Sequence, residues 1–416
     1  MNLLEMAAAN QLKKTGEIKK ISIRDQINDK YDVYKIPLKY LYYNDQNGRI
    51  NTIYKKYSSV HGILSPEPGD SKYNKIFEEF IFKSNEQAMK DTKQSIFDKS
   101  QQEPGVVLPD GRVIDGNRRL TALRMIERET GIPQDFNAVL LKLDVNSKSD
   151  EKTIKELELD LQLGREERIN YDPIDRIFDV YNTIEVEKIM TDEEYKKASG
   201  AKSTKGIKRD LRLAHLIIDF IKIVSPGENL IDRFYLARDL KLDGPLEEIE
   251  KTLTNLKSKD KKSITEASLV FLAVSKTMED QNDTTRVMRS LKKNVLKNNE
   301  LIEYFLNSVD DKVDVIIDAF DDTPIQSANE LKTVIENNSE VKKNADKLIN
   351  STYRLIHKGK TESERQKPLV ELENIRDSLL EISIEDFSEL TRDEVLDAKD
   401  CITEINDILY RLKKGI

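Results

Sequence analysis

One cysteine, Cys401, and no tryptophan occur in the 416 residues. A lone thiol excludes, within one chain, a disulfide framework, a thiolate zinc site and two-cysteine redox chemistry. Cys401 reads as a small core hydrophobe near the C-terminal end. Histidine is also scarce, and His61, His215 and His357 lie in unrelated contexts without metal-ligand spacing, so no structural zinc is expected. No apolar run approaches the length of a spanning helix. Residues 1–14 place Glu5 inside their only apolar patch and carry no cleavage-site pattern. The expectation is a cytoplasmic protein with no membrane partner. An excess of positive charge is missing too, because the formal net charge is -8. That argues against a surface coated in nucleic acid and leaves room for a local basic patch.

Charge of both signs is abundant: 35% of residues are charged against 38% hydrophobic, a composition that fits a helix-rich, well-solvated protein. The length suggests two or three domains. Short β-branched or aliphatic runs at 34–38, 105–108, 112–114 and 138–143 read as strands. Pro109-Asp110-Gly111 between the middle two makes 105–114 a hairpin, since Gly supplies the positive φ that a chain reversal needs. The second half of 50–70 reads as an inserted loop, and a helix is expected over 85–99. Beyond Pro173 the pattern is helical, at 174–190, 192–199, 204–224 and 230–240. From about Leu246 it resembles a helical bundle. The resulting division is an N-terminal extension (1–33), an α+β domain (34–150), a helical segment (151–243) and a C-terminal helical domain (244–416).

In the last hundred residues Leu331, Val334, Val341, Ala345, Leu348 and Leu355 fall at alternating three- and four-residue steps, with Asn338 and Thr352 in the same stripe. Ile402, Ile405, Leu409 and Leu412 repeat the spacing. Such stripes are the seam of an intramolecular helical hairpin, or of a homodimer or partner interface.

The segment with the most chemistry runs Ile114-Asp115-Gly116-Asn117-Arg118-Arg119-Leu120. A strand ends, the chain turns at Gly116, and a helix begins with Asn117 as the expected N-cap and two arginines in its first turn. A helix N-terminus carries free N–H groups and positive partial charge, so two arginines there add like charge. An anion reverses the argument, because backbone donors, dipole and guanidinium forks then converge on it. Gly116 would let the backbone approach closely. The alternative is structural, with one arginine paired to Asp115 and the other in solvent.

The stretch Asp-Gly-Asn-Arg-Arg-Leu-Thr-Ala-Leu resembles the Gly-Glu-Arg-Arg phosphate motif of ParB-type partition proteins, whose nucleotide-binding domain shares the sulfiredoxin fold. Asn117 stands where that motif has Glu. Upstream, Ser95-Ile96, Pro104 and Val106-Val107 match the family's helix and strand leading into the motif, with Ser100 in place of its usual Gly. Asn44 and Arg49 match the ends of its Asn-Pro-x-x-Pro-Arg box, without the prolines. Downstream, Glu158, Asp160, Gln162 and Arg165, followed by Tyr171-Asp172-Pro173-Ile174, are similar to its Glu-Asn-x-x-Arg helix and the next helix start. The resemblance implies an α+β ParB/sulfiredoxin-like domain followed by an all-α region. It also implies a bound nucleoside triphosphate, CTP or ATP, with Mg2+. Arg49, Asp115, Gly116, Asn117, Arg118, Arg119, Gln162 and Arg165 would hold the nucleotide. Glu158 and Asp160 would hold the metal, with Glu158 the catalytic carboxylate if the ligand is turned over. Sulfiredoxin chemistry itself is excluded, because it needs a cysteine thiolate where Asn117 stands.

Lys196, Lys197, Lys202, Lys205, Lys208, Arg209 and Arg212 face one acid, Asp210, in their own segment, across a break at Ser199-Gly200. Helix, Gly-containing turn and basic helix give a helix-turn-helix outline, at the place where partition proteins carry theirs. Lys202, Lys205, Lys208, Arg209 and Arg212 would then meet DNA phosphates. The alternative is a lysine-rich solvated helix pair. The functional expectation is a nucleotide-binding, DNA-binding protein of a prokaryotic partition, mobile-element or anti-phage system. Its competitor is an enzyme of the same superfamily with Mg-dependent triphosphatase, kinase-like or nuclease-like activity in antiviral defence.

Overall fold

The computed structural model describes residues 2–23, 29–163, 172–256, 260–278 and 283–416. The chain divides into compact units Met1–Tyr353 and Arg354–Ile416, so the boundaries expected at 150 and 243 fall inside the first. That unit opens with an α/β region and continues as helices, as the residue patterns lead one to expect.

Its described strands are β1 (Lys13–Lys20), β2 (Lys30–Pro37), β3 (Tyr42–Tyr43), β4 (Gly105–Val107), β5 (Arg112–Asp115) and β6 (Asp135–Leu140). They form one mixed sheet in the order β1-β2-β6-β4-β5-β3. β6 runs parallel to β4, and β5 parallel to β3, while the remaining neighbours are antiparallel. The expected 105–114 hairpin is β4 and β5. Gly111 takes φ +100°, and the Asp110 carboxylate accepts from the Arg112 N–H at 3.0 Å, so turn chemistry closes it. Register slips between Val106 and Val107, which leaves Ile114 as the extra residue of a bulge beside Asp115. β1 lies in the segment expected to be an N-terminal extension. Its sequence, KKTGEIKK, has almost no apolar alternation, and the ladder to β2 holds it at the sheet edge.

Side chains alternate between two buried layers. Ile36, Val107, Phe136, Ala138 and Leu140 meet α3 (Lys72–Ser84), α4 (Glu86–Lys99) and α5 (Asn117–Thr130). Val33, Val106, Leu108, Ile114 and Val139 meet Ile154, Leu157 and Leu161 of α6 (Lys148–Leu163). The period-two change of face is what a sheet buried on both sides demands. α1 (Leu3–Ala8) docks Leu3 into the first layer, and α2 (Asn51–His61) leads into the loop expected after it.

The helical part contains α7 (Pro173–Tyr181), α8 (Asp192–Ala198), α9 (Thr204–Val224), α10 (Tyr235–Asp239), α11 (Asp243–Asn255), α12 (Lys261–Ser275), α13 (Thr284–Asn294), α14 (Asn299–Asp322) and α15 (Ala328–Asn337). α7, α8, α11, α12 and α14 all pack on α9, which buries Leu213, Ile217, Phe220, Ile221 and Val224. α16 (Ser339–Leu380) starts in the first unit, where Val341, Ala345, Leu348 and Thr352 are buried together with Leu331. The first apolar stripe is therefore packed within the chain. In the second unit α17 (Arg392–Gly415) buries no side chain: Ile402 and Leu412 are exposed, and Ile405 and Leu409 are half-buried. Cys401 is exposed rather than a core residue, on a helix that buries none of its own side chains. Among the described residues no helix is long and apolar enough to cross a membrane.

Candidate anion-binding site

A cleft of about 520 Å³ opens where the end of β5, the start of α5, the C-terminal end of α4, the 44–49 turn and the last turn of α6 meet. Arg49, Asp115, Gly116, Asn117, Arg118, Arg119 and Gln162 all line it. Residues from three separate stretches of sequence are thus brought to one place. Arg165 lies outside the described residues.

The turn itself is built by Gly116, which is the helix N-cap in place of Asn117. Its φ of +98° is left-handed, and its carbonyl accepts the first helical bond from the Leu120 N–H at 2.9 Å. A Cβ at this position would lie 2.8 Å from the buried Phe136 ring. Asn117 is thereby the first residue of α5, with Arg118 and Arg119 following in the first turn. Among the described residues no side chain caps this N-terminus, and no acid stands in its first turn, which leaves the leading N–H groups without a side-chain cap beside the cleft.

The two arginines have different tasks. Arg119 donates to Asp115 Oδ2 at 2.8 Å and to the Glu103 carbonyl at 2.8 Å, which makes it a structural fork across the turn. Lys19, buried on β1, also reaches Asp115 at 3.9 Å and donates to the Pro104 carbonyl. The structural alternative is realised for this arginine alone. Arg118 forms no ion pair among the described residues, is half-buried, and lines the cleft with Arg49. Burial, and then the like charge of Arg49, hold its guanidinium down at about 10. Asn117 is 6% exposed, and its Oδ1 is buried with no hydrogen-bond partner among the described residues. A half-turn of that amide would present N–H groups to the same space. Cationic side chains, helix N–H groups and a buried amide are groups that one anion can satisfy together.

Other lining residues escaped the sequence reading. Asn47, Thr92 and Gln102 offer polar atoms at the cleft, and Ser95, read only as part of the strand and helix approach, sits there too. The Asn47-Gly48-Arg49 order carried a local signal, since the Asn47 side chain accepts from the Arg49 N–H at 3.0 Å in an Asx turn. Thr92 and Gln102 carried none.

Glu158 and Asp160 are not brought together. Glu158 is 3% exposed on the buried side of α6, whereas Asp160, two residues on, is exposed in another cleft with Glu156, Glu194 and Lys197. Burial pushes the Glu158 carboxyl up to about 7, opposed mainly by Lys155, whose Nζ lies 3.7 Å away. Among the described residues no three His, Cys, Asp or Glu side chains converge on a point suited to a metal ion.

The segment read as a helix-turn-helix folds as α8, a turn with Gly200 at φ +67°, and α9. Its basic flank is largely neutralised from elsewhere in the fold. Arg212 binds the buried Glu250, Arg209 lies 3.4 Å from Glu247, and Lys208 lies 3.4 Å from Asp192. Asp210, the single acid of the segment, is held by Arg176 at 3.0 Å. Lys202 and Lys205 are exposed with no acid partner among the described residues.

No family model matches the chain, and no curated protein matches it. Among solved structures the chain is similar to a Pnob8-like ParB-N domain, with 14% identity, a TM-score of 0.28, and coverage of 62% of this chain and 96% of that one.

Proposed function

We propose that the chain is a ParB-like nucleotide-binding protein that holds the phosphates of a nucleoside triphosphate, CTP or ATP, at the cleft of Arg49, Asn117, Arg118 and Arg119. The observation that carries this reading is Arg118, a half-buried guanidinium without an acid, set beside Arg49 at an uncapped helix N-terminus. Placing a lone cation beside another is costly, and a polyphosphate offsets both charges at once. Gln162 and, by the family resemblance, Arg165 would complete the phosphate contacts. Magnesium would arrive on the triphosphate, since Mg2+ keeps its waters and substrate phosphates in preference to an all-protein cage. A thermal-shift series with CTP, ATP, GTP and UTP, each with Mg2+, tests the reading. A nucleotide at about 100 times its Kd should stabilise the protein by roughly 2.7 kcal/mol. Absence of a shift with all four would remove it, and phosphate release in the same samples reports any turnover.

Contact with DNA is the second proposal, favoured by Lys202, just before α9, and Lys205, in its first turn, which stand exposed with no acid partner among the described residues. Lys202→Glu with Lys205→Glu should weaken duplex binding and reduce the slope of log K against log salt by about 2, roughly one per lost phosphate contact. Lys208→Glu with Arg209→Glu acts differently, because it sets like charges against Asp192 and Glu247 and should lower Tm. Anisotropy titrations over a range of salt, paired with melting curves, separate the two. Equal DNA affinity in the Lys202/Lys205 variant and the parent would reject the contact.

A further inference from the structure

We infer that Glu158 is a positioning residue that anchors the 44–49 turn and so places Arg49 beside Arg118, and that it is not a metal ligand. This rests on the anion-binding reading of the cleft. Glu158 Oε1 accepts from Gln162 Nε2 at 3.1 Å and from Asn44 Nδ2 at 3.4 Å, and the carboxylate also accepts from the Gly48 backbone. Asn44 is tied in turn to its own loop. Its Oδ1 accepts from the Gln46 N–H at 3.2 Å and from Arg112 Nη1 at 3.3 Å, and its carbonyl accepts from the Asn47 N–H at 3.3 Å. Asn47 then holds the Arg49 N–H. One buried carboxylate is thus linked through two short hydrogen-bonded paths, by Asn44 and Asn47 and by Gly48, to the residue that presents Arg49. Through Gln162 it also touches the opposite wall of the cleft.

The same surroundings argue against a metal. Asn44 and Gln162 both donate to Oε1, and a cation near the other oxygen would meet the Lys155 ammonium, 3.7 Å from Oε2 and itself bound to Asp179 at 2.5 Å. A carboxylate filled by donors supports a backbone well, and it offers a hard cation little.

The test measures binding of inorganic tripolyphosphate by calorimetry in EDTA and then with Mg2+, using the full chain. Glu158→Ala and Asn44→Ala should each weaken metal-free binding at least about 5-fold, and Glu158→Gln, which keeps an oxygen for the same donors, should restore most of the loss. In an Arg49→Ala background Glu158→Ala should cost little more, because its effect passes through that arginine. The inference is overturned if Glu158→Ala and Asn44→Ala bind as the parent does, or if the Glu158 loss adds in full to that of Arg49→Ala. It is also overturned if Glu158→Gln loses only the magnesium-dependent part. Should Glu158→Ala fail to fold, Asn44→Ala and Glu158→Gln decide alone. Arg118→Gln is the control: parent-like affinity there defeats the anion site itself, whereas its loss beside intact Glu158 and Asn44 variants defeats only the anchoring role.

Discussion

Arg118→Gln should weaken triphosphate binding about 10- to 100-fold without lowering the Tm of the ligand-free protein. A charge-assisted hydrogen bond contributes roughly 1.5–3 kcal/mol, which sets the loss. The absence of a stability cost follows from the free protein, where burial and Arg49 disfavour the charged guanidinium. Its folded pKa is depressed from the ordinary arginine value to about 10, so at neutral pH the charge opposes folding and its removal relieves that opposition. A bound anion should raise the pKa again. Affinity is then full below about 10 and falls as pH rises through it, because binding above that point must take up a proton. Arg119→Ala behaves differently. It breaks the fork to Asp115 and the Glu103 carbonyl, so Tm and affinity should fall together. Calorimetry and melting curves on the two variants decide the assignment. Equal affinity for Arg118→Gln and the parent, or a large drop in its ligand-free Tm, would return Arg118 to a structural role.

Gly116→Ala should damage fold and binding at once. The position sits at φ +98°, where an L side chain is strained by roughly 1–2 kcal/mol. Its new Cβ would also lie 2.8 Å from Phe136 Cζ and 3.1 Å from Arg119 Nη2. Phe136 is fully buried between β6 and the helical layer and has no free direction in which to move. Together these give an expected destabilisation of about 2–4 kcal/mol, with the N-terminus of α5 displaced and triphosphate affinity reduced in whatever folds. Urea unfolding with unchanged slope and a lower midpoint is the expected record. A variant with parental midpoint and affinity would show that the turn needs neither the left-handed backbone nor the close approach to Phe136.

Several parts of this molecule were written locally. Pro109-Asp110-Gly111 could only reverse the chain, the helix expected over 85–99 forms with Asn85 as its cap, and the residue pattern in 204–224 marked a helix. The turn at Gly116 was legible for the same reason. A glycine where backbone must approach, followed by a helix start carrying two arginines, is a signal held within five residues. β1 was invisible because an edge strand of lysines is held by main-chain hydrogen bonds and has little apolar periodicity to display.

What the sequence by itself determined was the kind of site: which residues carry positive charge at the turn, and that a helix N-terminus and a glycine stand beside them. The tertiary structure decided which of those charges are available. It assigned Arg119 to Asp115 and Glu103, left Arg118 next to Arg49, buried Glu158 under the turn that bears Arg49, and exposed Asp160 elsewhere. It also brought Glu250, 38 residues away in sequence, onto Arg212 of a flank that looks uniformly basic when read alone. Residue type and local spacing set backbone preferences over a turn or two of chain. Burial and ion pairing depend on groups that only folding brings within a few ångströms, and those interactions decide whether a charge is spent on structure or left for a ligand.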